Sequence, residues 1–255
     1  MVRLYFASYR AIRGLVRAIQ MAYCGFWLGI LTRKQLHSIG ERKYRKDRKY
    51  WTEEWNKGGL FDWEQQVVER DFAACRRVLI AAAGGGREVL ALRRTGMEVD
   101  GFESDPGLLN VANELLEKEG LAPDLKGAPW DHCPAAVSKC DGVVVGWAAY
   151  MLIRGRDERI DFLRELRARV AEGSPILLSF MTRSERSRYF RYVARIGNIL
   201  AAPLGRDRVD VGDTLLPNFA HRFTREQLEA EMMEGGFRMI SYDGVPYGHA
   251  VGRAV

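Results

Sequence analysis

A glycine-rich turn and an isolated carboxylate are the features of this sequence best suited to ligand binding. The apolar run at residues 78–83 leads directly into Gly84, Gly85 and Gly86, and Glu103 follows seventeen residues after the last glycine. Glycines at the end of a buried strand let a ligand approach main-chain N–H groups without a Cβ in the way. Glu103 ends the next predicted strand and lies at the same sheet edge, where ligands of open α/β sheets bind. A carboxylate there can accept hydrogen bonds from both hydroxyls of a ribose, so a nucleoside site is predicted.

Two nucleoside cofactors suit such a site. A dinucleotide requires the spacing Gly-x-Gly-x-x-Gly, and Val89 stands where the third glycine of that motif belongs. S-adenosylmethionine carries no pyrophosphate and needs only a shorter glycine-rich turn for its amino-acid end. The spacing therefore favours S-adenosylmethionine.

The surrounding elements alternate between short apolar strands and amphipathic helices. Strands are predicted over RRVLIAAA, MEVDGFE, CDGVVVGW and SPILLSFM, with helices between them. Asp105 and Pro106 form a capped start for one of these helices. This alternation predicts an α/β fold with a doubly wound, mostly parallel sheet and helices on both faces. FRMISYDG and YGHAVGRAV then predict a C-terminal antiparallel hairpin that turns around residues 244–246.

The order and spacing of these segments resemble the class I S-adenosylmethionine-dependent methyltransferases. The resemblance covers roughly residues 50–255 and rests on VLIAAAGGGRE, VDGFESD, CDGVVVGWAAY, VAEGSPILLSF and FTREQLEAEMMEGGFRMIS. It implies a seven-stranded sheet, S-adenosylmethionine as the cofactor, and methyl transfer as the reaction. The family usually has an acidic residue in the first strand and a glycine opening the loop, where this chain has Ile80 and Ala82. That departure either weakens the hold on the methionine end or is offset by Arg87 and Glu88.

The resemblance also assigns residues to the cofactor. In the loop after the third strand, Trp130 is expected to stack on the adenine ring and Asp131 to accept from its exocyclic amine. Trp147 and Tyr150 follow the fourth strand and are expected to face both the methyl donor and the acceptor. An N-terminal lid is expected to bring in Tyr50 and Trp51. The predicted cofactor residues are Ala82, Gly84, Gly85, Gly86, Glu103, Ser104, Trp130, Asp131, Trp147 and Tyr50.

For the chemistry itself, His221 and Tyr150 are the catalytic candidates. Methyl transfer needs a general base only when the acceptor must lose a proton. His221 precedes the final helix, after a predicted insertion at residues 182–223 that should cap the pocket. Arginines and tyrosines in that insertion predict an acidic acceptor, unless they form a solvated helix face. The substrate-binding candidates are Trp51 from the lid and Arg188, Tyr189 and Arg191 from the insertion.

His132, Cys133 and Cys140 make a poor zinc signature, and no metal is predicted.

The N-terminal region differs from the rest in charge. Residues 1–50 contain twelve Lys and Arg against only Glu41 and Asp47, within a chain whose net charge is +6. The apolar run from Met21 to Leu31 is too short to span a bilayer. We expect residues 1–60 to form a helical extension and lid before a domain at residues 61–255. The extension would provide a cap, a homodimer surface, or contact with a membrane; a solvated basic arm is the remaining interpretation.

The sequence as a whole predicts a methyltransferase that acts on a small molecule, with oxygen or carbon as the acceptor atom and an acidic or lipid-like acceptor. Four scattered cysteines favour the cytoplasm, with peripheral membrane contact left open. A nucleic-acid methyltransferase is the alternative that the sequence pI of about 9.2 suggests. GWAAY lacks the Asn/Asp-Pro-Pro-aromatic pattern of amino-methylating nucleic-acid enzymes, which argues against that alternative. A non-catalytic protein that binds S-adenosylmethionine is the third hypothesis.

Overall fold

The computed structural model describes residues 1–135, 137–245 and 247–255, so Pro246 in the predicted C-terminal turn lies outside the described residues. The helices are α1 (Val2–Ile30), α2 (Arg33–Lys46), α3 (Glu53–Lys57), α4 (Asp62–Asp71), α5 (Arg87–Arg94), α6 (Pro106–Lys118), α7 (Arg156–Arg167), α8 (Arg188–Ala201) and α9 (Arg225–Glu234). The strands are β1 (Arg77–Ala81), β2 (Glu98–Glu103), β3 (Lys126–Gly127), β4 (Gly142–Val145), β5 (Pro175–Thr182), β6 (Asp213–Leu215), β7 (Phe219–Phe223), β8 (Phe237–Asp243) and β9 (Gly248–Ala254).

The main sheet has the predicted doubly wound arrangement. Its described strands follow the order β3-β2-β1-β4-β5-β9-β8, in which β1 to β5 are parallel and β9 runs antiparallel to both β5 and β8. The β8–β9 pair is the predicted C-terminal hairpin. These pairings confirm the predicted fold class.

Alternation along the central strands explains why helices cover both faces. Leu79 and Ala81 of β1 join one buried cluster, which also contains residues of α7 and α9. Val78 and Ile80 join a second cluster on the other face, together with residues of α4, α5 and α6. A strand that is buried on both faces has to be apolar at every position, as the run after Arg77 is. This buried position places the carboxyl end of β1 in the middle of the sheet edge.

The insertion at residues 182–223 contains a helix and a second hairpin. After α8, strands β6 and β7 pair antiparallel, and β7 also pairs in parallel with the end of β5 at Met181 and Thr182. This hairpin therefore extends the carboxyl edge of the sheet past β5. The sequence analysis predicted the insertion but did not predict its strands.

Helix α1 is attached to the domain only through its C-terminal third. Its buried residues are Cys24, Gly25, Leu28 and Gly29, which pack on α8. A Cβ on Gly25 would lie 2.7 Å from Ile196 Cβ, so the glycine allows the two helices to approach closely. Residues 1–20 are exposed throughout. In the described chain, a search for helices long and apolar enough to cross a membrane finds none.

Candidate active site

A cavity of about 380 Å³ lies at the carboxyl ends of β1, β2 and β4, where the fold predicts ligand binding. Most of the predicted cofactor residues line it, including the glycine turn, the carboxylate of β2 and the tryptophans of two later loops. Those that line it are Ala82, Gly84, Gly85, Glu103, Ser104, Trp130, Asp131, Trp147 and Tyr50. The predicted residue Gly86 is not among them.

The turn after β1 adopts a backbone that favours glycine. Gly84 has φ +55° and Gly86 has φ +93°, and a Cβ on Gly86 would lie 3.1 Å from Ala112 Cβ. Gly86 thus allows α5 to approach α6, and it does not contact the cavity. A Cβ on Gly85 would lie 2.7 Å from the carbonyl oxygen of Tyr50. The N-terminal segment is therefore packed directly over the glycine turn.

Glu103 ties the end of β2 to this turn. Its Oε2 accepts a hydrogen bond from the Gly84 N–H at 2.7 Å, and its Oε1 accepts from the N–H groups of Ser104 and Asp105, each at 2.8 Å. Burial raises the pKa of the Glu103 carboxyl, and these N–H donors oppose that shift. A carboxylate offers about four lone-pair sites. The Ser104 hydroxyl also donates to Oε1 at 3.3 Å, so only Oε2, which accepts the single Gly84 bond, can accept a further donor from a ligand in the cavity.

The loop after β3 is covered by α2. The His37 ring stacks on Trp130 with ring centroids 4.8 Å apart and an interplanar angle of 18°. His37 Nε2 also lies 3.2 Å from Asp131 Oδ2. One face of Trp130 is thus occupied by this chain, and a cofactor ring would have to use the remaining cavity surface of that loop.

Residues of the N-terminal segment close the cavity from above. Lys43, Tyr44, Tyr50, Trp55 and Asn56 all line it. Burial raises the pKa of the Tyr44 hydroxyl, and the nearby Tyr50 and Glu103 add to that shift. Tyr44 is therefore a neutral hydrogen-bonding group in this wall.

Trp51, a predicted substrate contact, lies outside the cavity lining. Its Nε1 donates to the Tyr44 carbonyl oxygen at 2.8 Å, and its ring lies against Gly107 at the start of α6. Trp51 therefore fixes the segment that closes the cavity.

Arg87 and Glu88 are the residues expected to offset the departure from the family pattern at Ile80 and Ala82. The Arg87 guanidinium donates two hydrogen bonds to Glu64, at 2.7 and 2.8 Å, and one to Glu88 at 2.7 Å. Glu88 Oε1 accepts from the Trp147 N–H at 3.1 Å. This buried group joins α4, the glycine turn and the end of β4, and both Arg87 and Glu88 reach the cavity.

Backbone strain is concentrated at this cavity. Within residues 1–135, 137–245 and 247–255, the non-glycine residues with positive φ are Ala82 at +57°, Asp131 at +64° and Ala148 at +60°, and all line the cavity. Gly146 contributes to the same corner, since a Cβ there would overlap the Ala82 carbonyl oxygen. Strained backbone of this kind clusters at functional sites. Gly146 was not predicted, although its place at the end of the VVV run is a usable signal.

His221 lies outside the cavity lining, which differs from its predicted catalytic contact with the acceptor. Strand alternation is the reason, because His221 shares the buried side of β7 with Phe219 and Phe223, whereas Ala220 and Arg222 face the cavity. If NFAHRF is read as a strand, its alternation places Arg222 on the face opposite His221, so the sequence contained a signal for Arg222 as a cavity residue.

The His221 imidazole is held by two side chains. Its Nδ1 lies 2.7 Å from Asp213 Oδ1, and the Gln227 amide nitrogen donates to its Nε2 at 2.8 Å. Because Gln227 Oε1 accepts from Arg183, its nitrogen faces His221, which places the imidazole proton on Nδ1 toward Asp213. His221 therefore supports the β6–β7 hairpin from inside the protein.

Tyr150, the second catalytic candidate, is also buried outside the lining. Its hydroxyl donates to Glu231 Oε2 at 2.9 Å, and Arg159 donates two hydrogen bonds to the same carboxylate, at 2.9 and 2.8 Å. Burial raises the pKa of Tyr150 far above its usual range, with Glu231 as a further cause. Tyr150 thus belongs to a buried polar network under the cavity.

One group of potential metal ligands lies in this network. Among the described residues, Asp210, Asp213 and His221 place ligand atoms within 4.8 Å of one another. Arg159 Nη2 lies 3.7 Å from Asp210 Oδ2, and both His221 nitrogens have side-chain partners. Protein groups thus already supply the positive charge and the hydrogen bonds there.

The insertion contributes to the cavity wall through its hairpin and not through the predicted substrate-binding residues of α8. Arg188 and Arg191 are exposed, and Tyr189 packs toward α1 with its hydroxyl 3.4 Å from Cys24 Sγ. None of the three lines the cavity. The lining residues from this region are Met181, Thr214, Leu216, Pro217, Asn218, Ala220 and Arg222.

Comparisons with known proteins bear on the fold. A SAM-dependent methyltransferase structure from Methanosarcina mazei is similar over 77% of this chain and 99% of its own, with 15% identity and a TM-score of 0.57. An amino pentose methyltransferase from Micromonospora echinaspora, solved with SAM bound, covers 85% of this chain and 97% of its own, at 18% identity and a TM-score of 0.57. A methyltransferase from Streptomyces caelestis covers 78% and 92%, at 16% identity and a TM-score of 0.57.

The sequence comparisons contribute nothing further, since neither a protein-family model nor a curated protein matches this chain. At identities of 15–18%, the structural similarity concerns the fold alone. The chain thus has the Rossmann-like fold of SAM-dependent methyltransferases, as the resemblance of its sequence motifs predicted.

Proposed function

We propose that this protein is an S-adenosylmethionine-dependent methyltransferase that acts on a small acidic acceptor. The observation that carries the proposal is one cavity shared by the glycine turn after β1, the Glu103 carboxylate and the loops after β3 and β4. The fold of the similar structures supports it. The remaining cavity wall, formed by the β6–β7 hairpin, leaves room for an acceptor beside the cofactor.

The residues of the cavity fit the parts of this cofactor. Glu103 Oε2 can accept from a ribose hydroxyl beside the Gly84 N–H, and Asp131 can accept from the adenine amine. At the other end, Glu88 accepts from Arg87 and from the Trp147 N–H through Oε1, which leaves its Oε2 to accept from the α-ammonium group. When bound, S-adenosylmethionine supplies an electrophilic methyl group on sulfur. The protein then has to align the acceptor with that group and exclude water.

Arg222 is the basis for proposing an acidic acceptor. Its side chain lines the cavity among Leu216, Pro217 and Ala220, and in the described part of the chain it forms no ion pair. A guanidinium beside apolar walls favours a ligand with a carboxylate or another acidic oxygen next to a hydrophobic body. Such an oxygen is already ionised at neutral pH, so oxygen methylation could proceed without the histidine base that the sequence analysis assigned to His221.

We also propose that residues 1–60 act as an extension and lid over a methyltransferase domain at residues 61–255. The contacts that support this role are the Tyr50 carbonyl oxygen over Gly85 and the His37 ring over Trp130. Release of the cofactor would require that these contacts open. Within the lid, Asn56 donates to the Tyr50 carbonyl oxygen at 3.1 Å and so fixes the conformation of the segment that lies over Gly85.

Calorimetric titration of the full chain with S-adenosylhomocysteine tests the cofactor assignment. We expect saturable binding at one site, and the absence of heat at millimolar ligand would contradict the proposal. Transfer of labelled methyl groups to a panel of hydrophobic carboxylic acids, enols and matched neutral amides then tests the acceptor. Binding without transfer to any acidic compound would favour the non-catalytic alternative.

The role of Arg222 can be separated from cofactor binding. In R222Q we expect the KM for an acidic acceptor to rise about tenfold or more, because a charge-assisted hydrogen bond is lost. Its affinity for S-adenosylhomocysteine should stay unchanged. The control R225Q changes an exposed arginine of α9 and should alter neither quantity. An unchanged KM in R222Q would remove Arg222 from the acceptor site.

A further inference from the structure

The exposed face of α1 is apolar along almost its whole length. Tyr5, Tyr9, Ile12, Val16, Ile19, Tyr23 and Phe26 recur at alternating spacings of four and three residues, and each is exposed. At 3.6 residues per turn these positions, with Leu4 and Leu15, span an arc of about 140°. The residues that attach α1 to the domain lie on the other side of the helix. The apolar face is therefore turned away from the body of the protein.

A basic stripe occupies the opposite side of the same helix. Arg3, Arg10, Arg13 and Arg17 fall within an arc of about 80°, which Phe6 shares. The first acidic residue of the chain is Glu41. The exposed part of α1 thus combines guanidinium groups with aromatic and aliphatic side chains and contains no carboxylate.

From this arrangement we propose that α1 docks the protein on an anionic phospholipid surface. The helix would lie in the plane of the interface, with the apolar face among the acyl chains and the arginines at the level of the headgroup phosphates. Tyrosines at positions 5, 9 and 23 suit this depth, because their rings are apolar and their hydroxyls remain hydrated. Arg13 lies 5.6 Å from the Tyr9 ring centroid and can reach the headgroups from beside the apolar face.

Charge argues for lipid over a second copy of the chain. The spacing of four and three residues would also suit a two-helix coiled coil. Two copies of α1, however, would bring eight guanidinium groups together with no carboxylate from this helix to pair with them. The apolar arc is also wider than the narrow seam of a coiled coil. Anionic headgroups supply the missing negative charge.

The docked orientation follows from the rigid attachment of α1. Cys24 and Leu28 are fully buried against the insertion, where Cys24 Sγ donates to the Leu215 carbonyl oxygen at 3.7 Å. Leu215 belongs to the hairpin that carries the acceptor side of the cavity. The helix that docks on the membrane therefore contacts the hairpin that lines the cavity directly. The docking proposal itself does not depend on methyl transfer.

Vesicle co-sedimentation of the full chain tests the proposal. The probes are vesicles of phosphatidylcholine alone and vesicles with about 30 mol % phosphatidylglycerol. We expect at least tenfold stronger partitioning to the anionic vesicles, and a decrease when NaCl is raised from about 0.05 to 0.5 M. Equal or absent binding to the two vesicle types would overturn the proposal.

Two variants and a matched control identify the surface. The double variant I12E/I19E should lose roughly tenfold or more of the partitioning, since both side chains lie on the exposed apolar face. R10Q/R13Q should lose roughly fivefold for each charge removed and about half of the salt dependence, because Arg3 and Arg17 remain. The control M233E places the same charge on an exposed apolar residue of α9 and should bind like the unchanged chain. Unchanged partitioning of I12E/I19E would contradict the assignment to α1.

Analytical ultracentrifugation without lipid tests whether the apolar face of α1 binds a second copy of the chain instead. A dimer that I12E/I19E converts to a monomer, without vesicle binding by either form, would assign the face to a second copy and overturn docking on lipid. Calorimetry with S-adenosylhomocysteine on the same variants keeps the two proposals distinct. Unchanged cofactor affinity together with lost vesicle binding locates the effect in α1 alone.

Discussion

The two sides of the cavity are built differently. On the cofactor side, main-chain turns at the ends of β1, β2 and β4 supply the wall, and Glu103 holds the first two together through backbone N–H groups. On the acceptor side, the β6–β7 hairpin projects side chains into the cavity, while a buried polar network supports it from below. The cofactor side thus depends on backbone geometry. The acceptor side can change its lining residues without changing its support.

The largest effect is expected on the supporting network. E231A removes the carboxylate that pairs with the fully buried Arg159 and accepts from Tyr150, which leaves a buried charge uncompensated. We expect a loss of about 3–5 kcal/mol in the free energy of unfolding, measured with urea. The control E229A removes an exposed carboxylate from the same helix and should cost under about 0.5 kcal/mol. A similar, small loss in both variants would show that the network does not support the hairpin.

The second effect is expected at the backbone corner of the cofactor side. G146A adds a Cβ that would overlap the Ala82 carbonyl oxygen, so the turn after β1 must move. Displacement of a packed backbone costs about 1–3 kcal/mol, and we expect affinity for S-adenosylhomocysteine to fall by up to about a hundredfold in calorimetry. The control G40A adds a Cβ in open space on α2. Equal affinities in the two variants would contradict the backbone account of this side.

A smaller effect tests the carboxylate that joins the two turns. E103Q removes the negative charge that accepts from Gly84, Ser104 and Asp105, and we expect roughly tenfold weaker binding of S-adenosylhomocysteine. E98Q alters an exposed carboxylate at the other end of the same strand and serves as the control. If E103Q bound as tightly as E98Q, Glu103 would have no role in the cofactor site.

The same variant gives a pH test without ligand. Because burial raises the pKa of Glu103, the folded protein binds this proton more tightly than the unfolded chain. Its contribution to stability is complete below the unfolded pKa and is lost as the pH rises through the folded pKa. A glutamine carries no such proton. The stability of the unchanged chain relative to E103Q should therefore fall as the pH rises from about 4 to 8 in urea titrations.

The cofactor side was predictable from sequence because its residues sit where strands end. A buried apolar run followed by Gly84 defines the end of β1. The next strand runs parallel and pairs Phe102 with Ala81, so Glu103 lies at the same edge. The mostly parallel sheet was predicted from the alternation of strands with helices, and the C-terminal hairpin from two strand-like runs joined by a turn. Gly86 was placed in the site for its spacing alone, whereas the structure uses it to pack α5 on α6.

The acceptor side was less predictable because its residues lie in an insertion without a recurring pattern. His221 was selected for its chemistry, but one position along β7 decides whether a side chain faces the cavity or the core. Arg188 and Arg191 were selected for their charge, and α8 presents them to solvent. Without knowledge that residues 219–223 form a strand, the orientation of His221 could not be derived from composition.

The smallest effect concerns the position where this chain departs from the family. Ala82 holds φ at +57°, a conformation that costs an L-residue roughly 1–2 kcal/mol, and the resemblance expects glycine there. A82G removes this strain but gives the unfolded chain more freedom, so the net gain in stability should be under about 1 kcal/mol. Affinity for S-adenosylhomocysteine should stay within about threefold, because the turn is already in the required conformation. The comparison variant A148G relieves the same strain after β4. If A82G alone weakened binding further, the Ala82 methyl group itself would contact the ligand, and the cofactor side would depend on a side chain as the acceptor side does.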